Sequence, residues 1–541
     1  MKWSRRVMKI LHKGKWLLLL AILFGIFMYS LNMNVRVVDK ATFSFFQEPI
    51  SKQPSSTNEQ PSFFSLTLYD PSLTIQLTAE DERNEQYLSG KDLTYSVLEG
   101  RKVIGELFVQ QLRFSNQDLY YFIRFTAEEN LDRVIPLRIT FPGIGKPTLH
   151  TLDYPGALSN QTSVWKEKMS IDSGESLPKG AFFLDGEDYF LFSSPIDVFL
   201  PLANGVRKER FEKSLSAQFR QEKGKVQLLL PLPVVKGNFT ENWGMFSTRQ
   251  LVDWRNENAH KVLKIADLNR VRKWSREGMF YVTPDSYEPT DPRGFWMNPA
   301  HHVGEVFLRT EGAIFFENFA VLSLYTAAET QNEQGFWPTT PRSNWLYNDY
   351  GINAGFYDTR FNTDAGLFLL RGYRKLGDET WLTAAVKYAD FLVKFAQTHQ
   401  YRTKNGGILV YDYSNGNESE EEQKKPIQTH VSLNHHITEM NFLYEMYKTM
   451  KNTTYFNIAE KMKQGVKDTA KDWKKEEDGD LWYAYLPDGT YGLKDYPLLT
   501  LKDLRYSQEL ITELYGVPDP DFQYLIQVKE EYLRKNNLPL Y

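Results

Sequence analysis

The spacing of hydrophobic positions changes near residue 255 and divides the chain into two kinds of structure. From about 63 to 250, short apolar runs alternate with polar residues and are broken by Gly, Pro, Asn and Asp, as in LTIQLTAE and DLYYFIRFTA. A two-residue period predicts strands, and many short strands separated by turns indicate an antiparallel β-sandwich. Beyond that point, apolar residues recur every three or four positions, which predicts helices through residues 251–541.

An internal repeat organises the helical part. Residues 368–387 and residues 442–461 align without a gap, and ITELYGVPDPDFQYLIQVKEEYL near the C-terminus is a looser third copy. Each copy reads as a helix, a polar turn and a second amphipathic helix, so the repeats predict helical hairpins that stack side by side. The matched positions include Tyr373 with Tyr447, Asp378 with Asn452, Thr380 with Thr454, and Ala385 with Ala459.

Stacked hairpins form either an open solenoid or a closed ring. Between the copies lie long aromatic and Gly-rich stretches, GGILVYDYSNGN and GDLWYAYLPDGTYG. Open solenoids keep short regular turns, whereas closed rings of paired helices carry such loops around a central cleft. The fold class that follows is a multidomain α+β chain with a β-sandwich followed by an (α/α) toroid-like domain of helical hairpins.

The N-terminus predicts a single membrane anchor. Residues 1–15 are rich in Lys and Arg, the stretch 16–34 is apolar and uncharged, and residues 35–62 form a spacer rich in Pro, Ser and Gln. An apolar stretch of about this length can cross a bilayer, and the basic flank keeps residues 1–15 in the cytoplasm. No cleavage site with small residues follows it. We therefore expect an uncleaved anchor in contact with lipid and a body outside the cytoplasm.

Composition narrows the choice of partner. The net charge of −4 gives no indication of a nucleic-acid surface, and the absence of Cys excludes disulfides, as fits a bacterial cell-surface protein. The aromatic content of 15% is high. Aromatic rings stack on sugars but also fill cores, so this feature permits a carbohydrate ligand without requiring one.

Polar residues gather at three predicted helix starts in the toroid-like part. If the first helices of the hairpins point the same way, these starts meet at one rim, where they could bind substrate. Each also has a structural interpretation, because Asp is favoured at helix caps. The adjacent pairs His301-His302 and His435-His436 lack the spacing of metal ligands, so no metal or other cofactor is expected. The candidate substrate-binding residues are Tyr357, Asp358, Arg360, Asp364, Asn434, His435 and Glu439.

The C-terminal stretch resembles the C-terminal domain of D-glucuronyl C5-epimerases. The resemblance is carried by Leu433-Asn434, by the loop YLPDGTY, which holds Tyr485 and Tyr491, and by Leu504-Arg505-Tyr506. It implies a uronic-acid polysaccharide as substrate and proton transfer at C5. The three tyrosines, with lowered pKa values, would exchange the protons, and Arg505 would bind the carboxylate.

Other functions remain open at this point. The same intermediate would expel the C4 substituent in a polysaccharide lyase. A glycoside hydrolase would need two carboxylates, for which Asp358, Asp364, Asp412 and Glu439 are available. The cleft could also bind glycan without catalysis, and a helical-repeat scaffold could bind protein. The aromatic loops favour sugar over protein, and the sequence leaves the oligomeric state undetermined.

Overall fold

The structure is a computed structural model, and it describes residues 37–38, 42–45, 64–142, 147–153, 164–222 and 225–540. The predicted anchor at 16–34 lies outside these residues, as does the basic tail before it. Within the described ranges, no helix has both the length and the apolar character needed to cross a membrane. The anchor and its orientation therefore stay predictions.

Strands dominate the first half of the chain and helices the second. The strands are β1 (Val37–Val38), β2 (Thr42–Phe45), β3 (Phe64–Leu68), β4 (Leu73–Asn84), β5 (Leu88–Glu99), β6 (Lys102–Phe114), β7 (Leu119–Ala127), β8 (Val134–Pro142), β9 (Thr148–Asp153), β10 (Val164–Lys168), β11 (Phe182–Asp185), β12 (Phe190–Ser193), β13 (Asp197–Pro201), β14 (Arg207–Glu209), β15 (Gln218–Glu222), β16 (Lys225–Pro233), β17 (Phe239–Ser247), β18 (Arg272–Ser275), β19 (Gly278–Val282), β20 (Tyr287–Glu288), β21 (Gly294–Met297), β22 (Arg342–Ser343), β23 (Tyr357–Asp358), β24 (Gln400–Arg402), β25 (Ile408–Val410), β26 (Tyr413–Ser414), β27 (Val431–Ser432), β28 (Trp482–Tyr485) and β29 (Tyr491–Lys494).

In the described part of the chain, the α-helices follow residue 256. They are α1 (Glu257–Ala266), α2 (His302–Arg309), α3 (Ile314–Glu329), α4 (Asn344–Tyr350), α5 (Thr359–Leu376), α6 (Glu379–Thr398), α7 (Glu420–Lys424), α8 (Leu433–Met450), α9 (Thr453–Thr469), α10 (Leu499–Tyr515) and α11 (Pro520–Lys535). The β-rich N-terminal part and the helical C-terminal part predicted from the sequence are thus confirmed.

The described residues divide into two compact units. The first consists of those up to Asp153 together with Val164–Phe199 and Arg210–Arg249. The second consists of Leu200–Glu209 and the chain from Gln250 onward.

The first unit is a sandwich of two antiparallel sheets. One sheet runs β1–β4–β5–β6–β7–β17, and β12 and β13 both pair with β17. The other runs β15–β16–β8–β3–β2. Leu66 and Leu228 from the second sheet and Val97 and Leu107 from the first are fully buried in one shared core. Burial of alternate side chains from both sheets explains the two-residue period of the sequence.

The two aligned repeats form matching hairpins, α5–α6 and α8–α9, in the second unit. Each first helix ends on a residue with a left-handed backbone, Gly377 with φ of +84° and Lys451 with φ of +55°. The next residue, Asp378 or Asn452, caps the second helix by accepting a backbone N–H bond, at 2.8 Å and 3.0 Å respectively. These caps satisfy groups that a helix end leaves unpaired, so the same local chemistry closes both turns.

The hairpins pack in two layers. Helices α5, α8 and α10 contact one another in order, and their partners α6, α9 and α11 pack behind them. All residues of α8 from Leu433 to Met446 are buried, so this helix lies at the centre of the stack.

The second unit also contains strands that the hydrophobic pattern does not predict. An antiparallel sheet has the strand order β14–β21–β19–β18. Strands β18, β19 and β21 lie between α1 and α2 in sequence, whereas β14 precedes α1. Each of these strands spans only three to five residues. Runs this short cannot display a two-residue period clearly, so the prediction that residues 251–541 are helical hairpins throughout was wrong here.

Candidate functional site

The N-terminal parts of three stacked helices meet around one guanidinium. Arg360 of α5 donates from Nη1 to Asp503 Oδ2 of α10 at 2.6 Å and to the backbone oxygen of Asn434 in α8 at 3.3 Å. Its Nε donates to the Asp364 carboxylate at 3.1 Å. Burial opposes the charge, but the two aspartates raise the pKa of Arg360 above its usual value. Arg360 therefore stays charged and ties the three helices together.

A cavity of about 480 Å³ opens beside this guanidinium, lined by residues of α2, α5, α8 and α10. Four cationic side chains line it: Arg309, Arg360, Arg371 and Lys502. Three carboxylates line it as well: Glu305, Asp364 and Asp503. Four against three leaves one positive charge in excess. A wall of this composition suits a polar, anionic ligand more than an apolar one.

Each cation of the cavity wall except Lys502 forms an ion pair with a carboxylate of the same wall. Glu305 binds Arg309 and also accepts from Arg371 Nη1 at 2.8 Å, while Arg360 holds the two aspartates. The Lys502 side chain is exposed, and its ammonium makes no ion pair with any residue in the described part of the chain. The excess charge is therefore located on Lys502.

His302, the first residue of α2, presents its imidazole to the cavity. The side chain is open to the cavity, and its ring contacts Phe361 edge-on at a centroid distance of 6.5 Å. No described residue forms a hydrogen bond to either ring nitrogen. Because protein surrounds the cavity, desolvation lowers the pKa of His302 from 6.5; the Asp364 charge opposes this shift, and the Arg360 charge adds to it. A neutral imidazole with free nitrogens can accept a proton from a ligand at pH 7.

Tyr506 lines the cavity from α10, on a helix different from that of His302. Its hydroxyl donates to Glu445, which also accepts from Arg374 Nη1 at 2.5 Å. Burial and the Glu445 charge raise the pKa of Tyr506 to about 12, although Arg371 opposes the shift. Burial also raises the pKa of Tyr491. The prediction that these tyrosines have lowered pKa values was wrong, because neither ring has enough nearby positive charge to offset desolvation.

The other residues predicted to be catalytic lie outside the cavity wall. Arg505 donates to Glu530 Oε1 at 2.8 Å and to the backbone oxygen of Leu540 at 2.9 Å, so it ties α10 to the C-terminal helix and the residues after it. Tyr485 and Tyr491 face each other across the β28–β29 hairpin, with ring centroids 5.3 Å apart. The structure brings Tyr506 to the cavity, but not these three residues.

Two of the residues predicted to bind substrate, Arg360 and Asp364, line the cavity. The remaining five are buried around the starts of α5 and α8. Asp358 caps α5 by accepting from the backbone N–H of Phe361 at 2.9 Å, and burial, reinforced by the Asp412 charge, raises its pKa to about 7. The cap role that the sequence allowed for Asp358 is thus present.

A buried polar network joins α5, α6 and α8 beside this cap. His435 Nδ1 lies 3.0 Å from Thr359 Oγ1, and burial lowers the pKa of His435 to about 4, against the opposing charge of Asp412. Tyr357 shares a hydrogen bond of 3.0 Å with Tyr388. Glu439 is completely buried, and burial raises its pKa well above 4.5. The bonds of His435 and Tyr357 join neighbouring elements, whereas both carboxyl oxygens of Glu439 and Oδ1 of Asn434 are buried without a hydrogen-bond partner among the described residues.

The sequence reasoning missed His302, Lys502, Asp503 and Arg371. Two of them, Lys502 and Asp503, lie just before Leu504-Arg505-Tyr506, the stretch that carries part of the family resemblance. Since α10 begins at Leu499, Asp503 rather than Arg505 lies near its N-terminus and faces Arg360. Among the described residues, no three His, Asp or Glu side chains form a group that could hold a metal ion.

Comparison with known proteins gives only distant structural likeness. No family model matches the chain, and no curated protein matches its sequence. A D-mannose isomerase matches with a TM-score of 0.37 and 14% identity over 52% of this chain and 71% of its own. A family 76 glycoside hydrolase, Bt3792 from Bacteroides thetaiotaomicron, matches with a TM-score of 0.36 and 14% identity over 52% and 71%. The cellobiose 2-epimerase of Spirochaeta thermophila gives 0.31 and 14% over 45% and 61%. Likeness at this level carries no argument about function.

Proposed function

We propose that this chain is a carbohydrate-active enzyme that binds an acidic saccharide in the charged cavity and transfers protons at the ring carbon beside the carboxylate. The observation that carries the proposal is that the neutral imidazole of His302 and the ammonium of Lys502 share one cavity wall, both without a partner among the described residues. The N-terminal sequence adds the proposal that the enzyme is held at a membrane with its body outside the cytoplasm.

Charge in the wall favours a monoanionic sugar such as a uronic acid. The ligand carboxylate would pair with Lys502 and neutralise the single excess charge of the cavity. A neutral sugar would leave that ammonium without a partner, so we expect it to bind more weakly. The ion pairs of Arg309, Arg360 and Arg371 keep the rest of the wall in a fixed arrangement before the ligand arrives.

The chemistry then needs one group to remove a proton and another to return one. His302 takes the C5 proton as a general base, and the electron pair left on C5 spreads into the carboxylate, whose growing charge Lys502 stabilises. Tyr506, protonated at neutral pH, gives a proton to C5 from a different helix. The Arg371 guanidinium beside the resulting phenolate offsets part of the repulsion from the Glu445 carboxylate. Exchange with water returns the imidazolium and the phenolate to their starting states. Proton return on the opposite face inverts C5.

Hydrolysis of a glycosidic bond is a second candidate, because two aspartates share the cavity wall. Burial raises the pKa of Asp503 to about 6, against the opposing charge of Arg360, which suits a general acid. Asp364 would then act as the second carboxylate. Arg360 binds both side chains, however, and each would have to leave that pairing to reach a substrate.

The proposal is tested by incubating the full-length chain with uronic-acid polymers in deuterated water. C5 epimerisation places deuterium at C5 without shortening the polymer. Lyase action instead creates an unsaturated chain end, and hydrolysis creates new reducing ends. We expect deuterium at C5. Chain cleavage without deuterium would overturn epimerisation in favour of hydrolysis. Binding without any reaction would leave a glycan-binding protein.

Two variants connect the reaction to this cavity. Removal of a general base typically slows catalysis by about 10²–10⁴-fold, so His302→Gln is expected to lose activity on that scale. Tyr506→Phe removes one hydroxyl, keeps the ring and should reduce the rate similarly. Tyr524→Phe on α11 is the control for it, since Tyr524 is absent from the cavity lining. Full activity in both cavity variants would place the chemistry elsewhere.

A further inference from the structure

Aromatic side chains from four separate segments meet beside the starts of α8 and α10. Trp345 of α4 contacts the ring of His430 at 5.3 Å, His430 contacts Tyr483 of β28 at 6.1 Å, and Tyr483 contacts Tyr496 at 5.6 Å. Trp345 is 38% exposed and Tyr496 is 51% exposed. We name Trp345, His430, Tyr483 and Tyr496 the aromatic mouth. Rings of this size are usually buried, so exposed rings gathered from distant segments form a surface prepared for contact.

Buried polar groups fix the centre of the aromatic mouth. His430 is completely buried, and its Nδ1 lies 2.9 Å from the Tyr350 hydroxyl. Its Nε2 lies 3.3 Å from Asp412 Oδ2, and Asp412 in turn accepts from the backbone N–H of Ser432 at 2.8 Å. These contacts hold the ring that separates Trp345 from Tyr483. The exposed rings therefore keep fixed positions at little cost in side-chain entropy.

A series of rings connects the aromatic mouth with the charged cavity. Tyr287 of β20 pairs with Ser343 of β22, two residues before Trp345, and the Tyr287 ring contacts Trp296 at 5.1 Å. Trp296 contacts Phe361 at 5.7 Å, and Phe361 contacts His302 in the cavity. Tyr496 also precedes by three positions Leu499, which lines the cavity. The aromatic mouth is thus continuous with the site where His302 and Lys502 lie.

We infer that the aromatic mouth binds the neighbouring sugar rings of the chain whose acidic residue occupies the charged cavity, so that the substrate is an acidic polysaccharide or oligosaccharide and not a monosaccharide. The inference rests on the proposed function. Sugar rings present C–H faces that stack on the rings of Trp and Tyr. Their hydroxyls can also form hydrogen bonds with the polar N–H or O–H group of these side chains, and the tyrosines of the aromatic mouth supply such hydroxyls.

The test compares the binding of a monosaccharide with that of oligosaccharides. Titration calorimetry of the full-length chain would use D-glucuronate and decasaccharides of heparosan, hyaluronan, alginate and polygalacturonate. One stacking contact contributes about tenfold in affinity, so we expect at least one decasaccharide to bind at least about tenfold more tightly than D-glucuronate. Trp345→Ala and Tyr496→Ala should each remove about that factor from the decasaccharide and leave D-glucuronate unchanged. Tyr515→Ala, an exposed aromatic of α10 with no ring contact to the aromatic mouth, is the control.

The outcomes separate the two proposals. Lys502→Gln should weaken D-glucuronate and the decasaccharide equally, because both place a carboxylate in the cavity, whereas Lys461→Gln outside the cavity should weaken neither. If D-glucuronate binds and chain length adds nothing, or if the ring variants bind decasaccharide like the wild type, the inference is overturned and the proposed function stands. If no acidic saccharide of the set binds, both are overturned.

Discussion

One buried lysine holds both ends of the β28–β29 hairpin, and its removal should loosen the aromatic mouth. Lys529 Nζ of α11 lies 2.8 Å from Asp480 Oδ1, just before β28, and 2.7 Å from Asp495 Oδ2, just after β29. The lysine side chain is 0% exposed and the two carboxylates are 2% and 1% exposed. Tyr483 of the aromatic mouth belongs to β28, so its position depends on this clamp.

The perturbation is Lys529→Met, which keeps the length of the side chain and removes its charge. Loss of one partner from a buried ion pair costs about 3–5 kcal/mol, because the remaining charge stays buried without compensation. Lys424→Met is the control, since Lys424 and Glu421 form a pair that is 67% and 84% exposed. Exposed pairs contribute about 0–1 kcal/mol. Exchange of the hairpin amides should accelerate by about 10²-fold or more in Lys529→Met, at about 1.4 kcal/mol per tenfold.

The assay is hydrogen exchange of Trp482–Lys494 together with denaturant unfolding of the full chain. Burial already raises the pKa of Asp495, and Lys529 opposes that shift. Without the lysine the carboxyl becomes easier to protonate. When the pKa of a carboxyl group is raised in the folded state, the free energy of unfolding falls as pH rises towards that pKa. The stability deficit of Lys529→Met relative to the wild type should therefore grow with pH. Restoring neutrality with Asp480→Asn and Asp495→Asn should recover most of the loss. A cost below about 1 kcal/mol, or unchanged exchange in the hairpin, would refute the reasoning.

Three further predictions concern Glu439, Gly465 and His302. Burial raises the pKa of Glu439 well above 4.5 and so favours the neutral form, which Gln matches in shape and charge; Glu439→Gln should therefore change the free energy of unfolding by less than about 1 kcal/mol below that raised pKa. The wild type should lose stability relative to the variant as pH rises through the raised pKa, and equal pH profiles in denaturant unfolding would contradict this. A Cβ on Gly465 would lie 2.1 Å from the backbone oxygen of Ile408, so Gly465→Ala should cost about 3 kcal/mol in denaturant unfolding, and a cost under about 1 kcal/mol would show that α9 can move off β25. The pKa of His302 lies below 6.5, so the wild-type rate should be constant near neutral pH and fall only at more acidic pH; a decline that begins above pH 7 would exclude His302 as the base.

Sequence reasoning succeeded where the determinants are local. The hairpin turns depend on adjacent residues such as Gly377-Asp378 and Lys451-Asn452, which the aligned repeats displayed directly. The cavity depends on pairs far apart in sequence, for example Arg360 with Asp503, 143 positions apart, and no local pattern reveals such pairs. The family resemblance predicted catalytic roles for Tyr485, Tyr491 and Arg505. Their position outside the cavity wall depends on contacts in the folded chain, which their spacing in the sequence does not reveal.

The short sheet of β14, β18, β19 and β21 illustrates the same limit. Its strands are too short for a periodic signal, and the pairing of Arg207 in β14 with Phe295 in β21 joins residues 88 positions apart. His302 follows this sheet, and its role depends on the cavity that α2, α5, α8 and α10 form together. The residue type alone could not distinguish it from His301, which is buried beside it.

The central claim is that an acidic sugar occupies the cavity between α2, α5, α8 and α10, and a structure of the full-length chain with a bound uronic-acid oligosaccharide tests it most directly. We predict one sugar carboxylate within hydrogen-bond distance of Lys502 Nζ, the C5 atom of that sugar next to a ring nitrogen of His302, and the following sugars stacked on Tyr496 and Trp345. An oligosaccharide bound on the Tyr485–Tyr491 hairpin with the cavity empty would contradict the account.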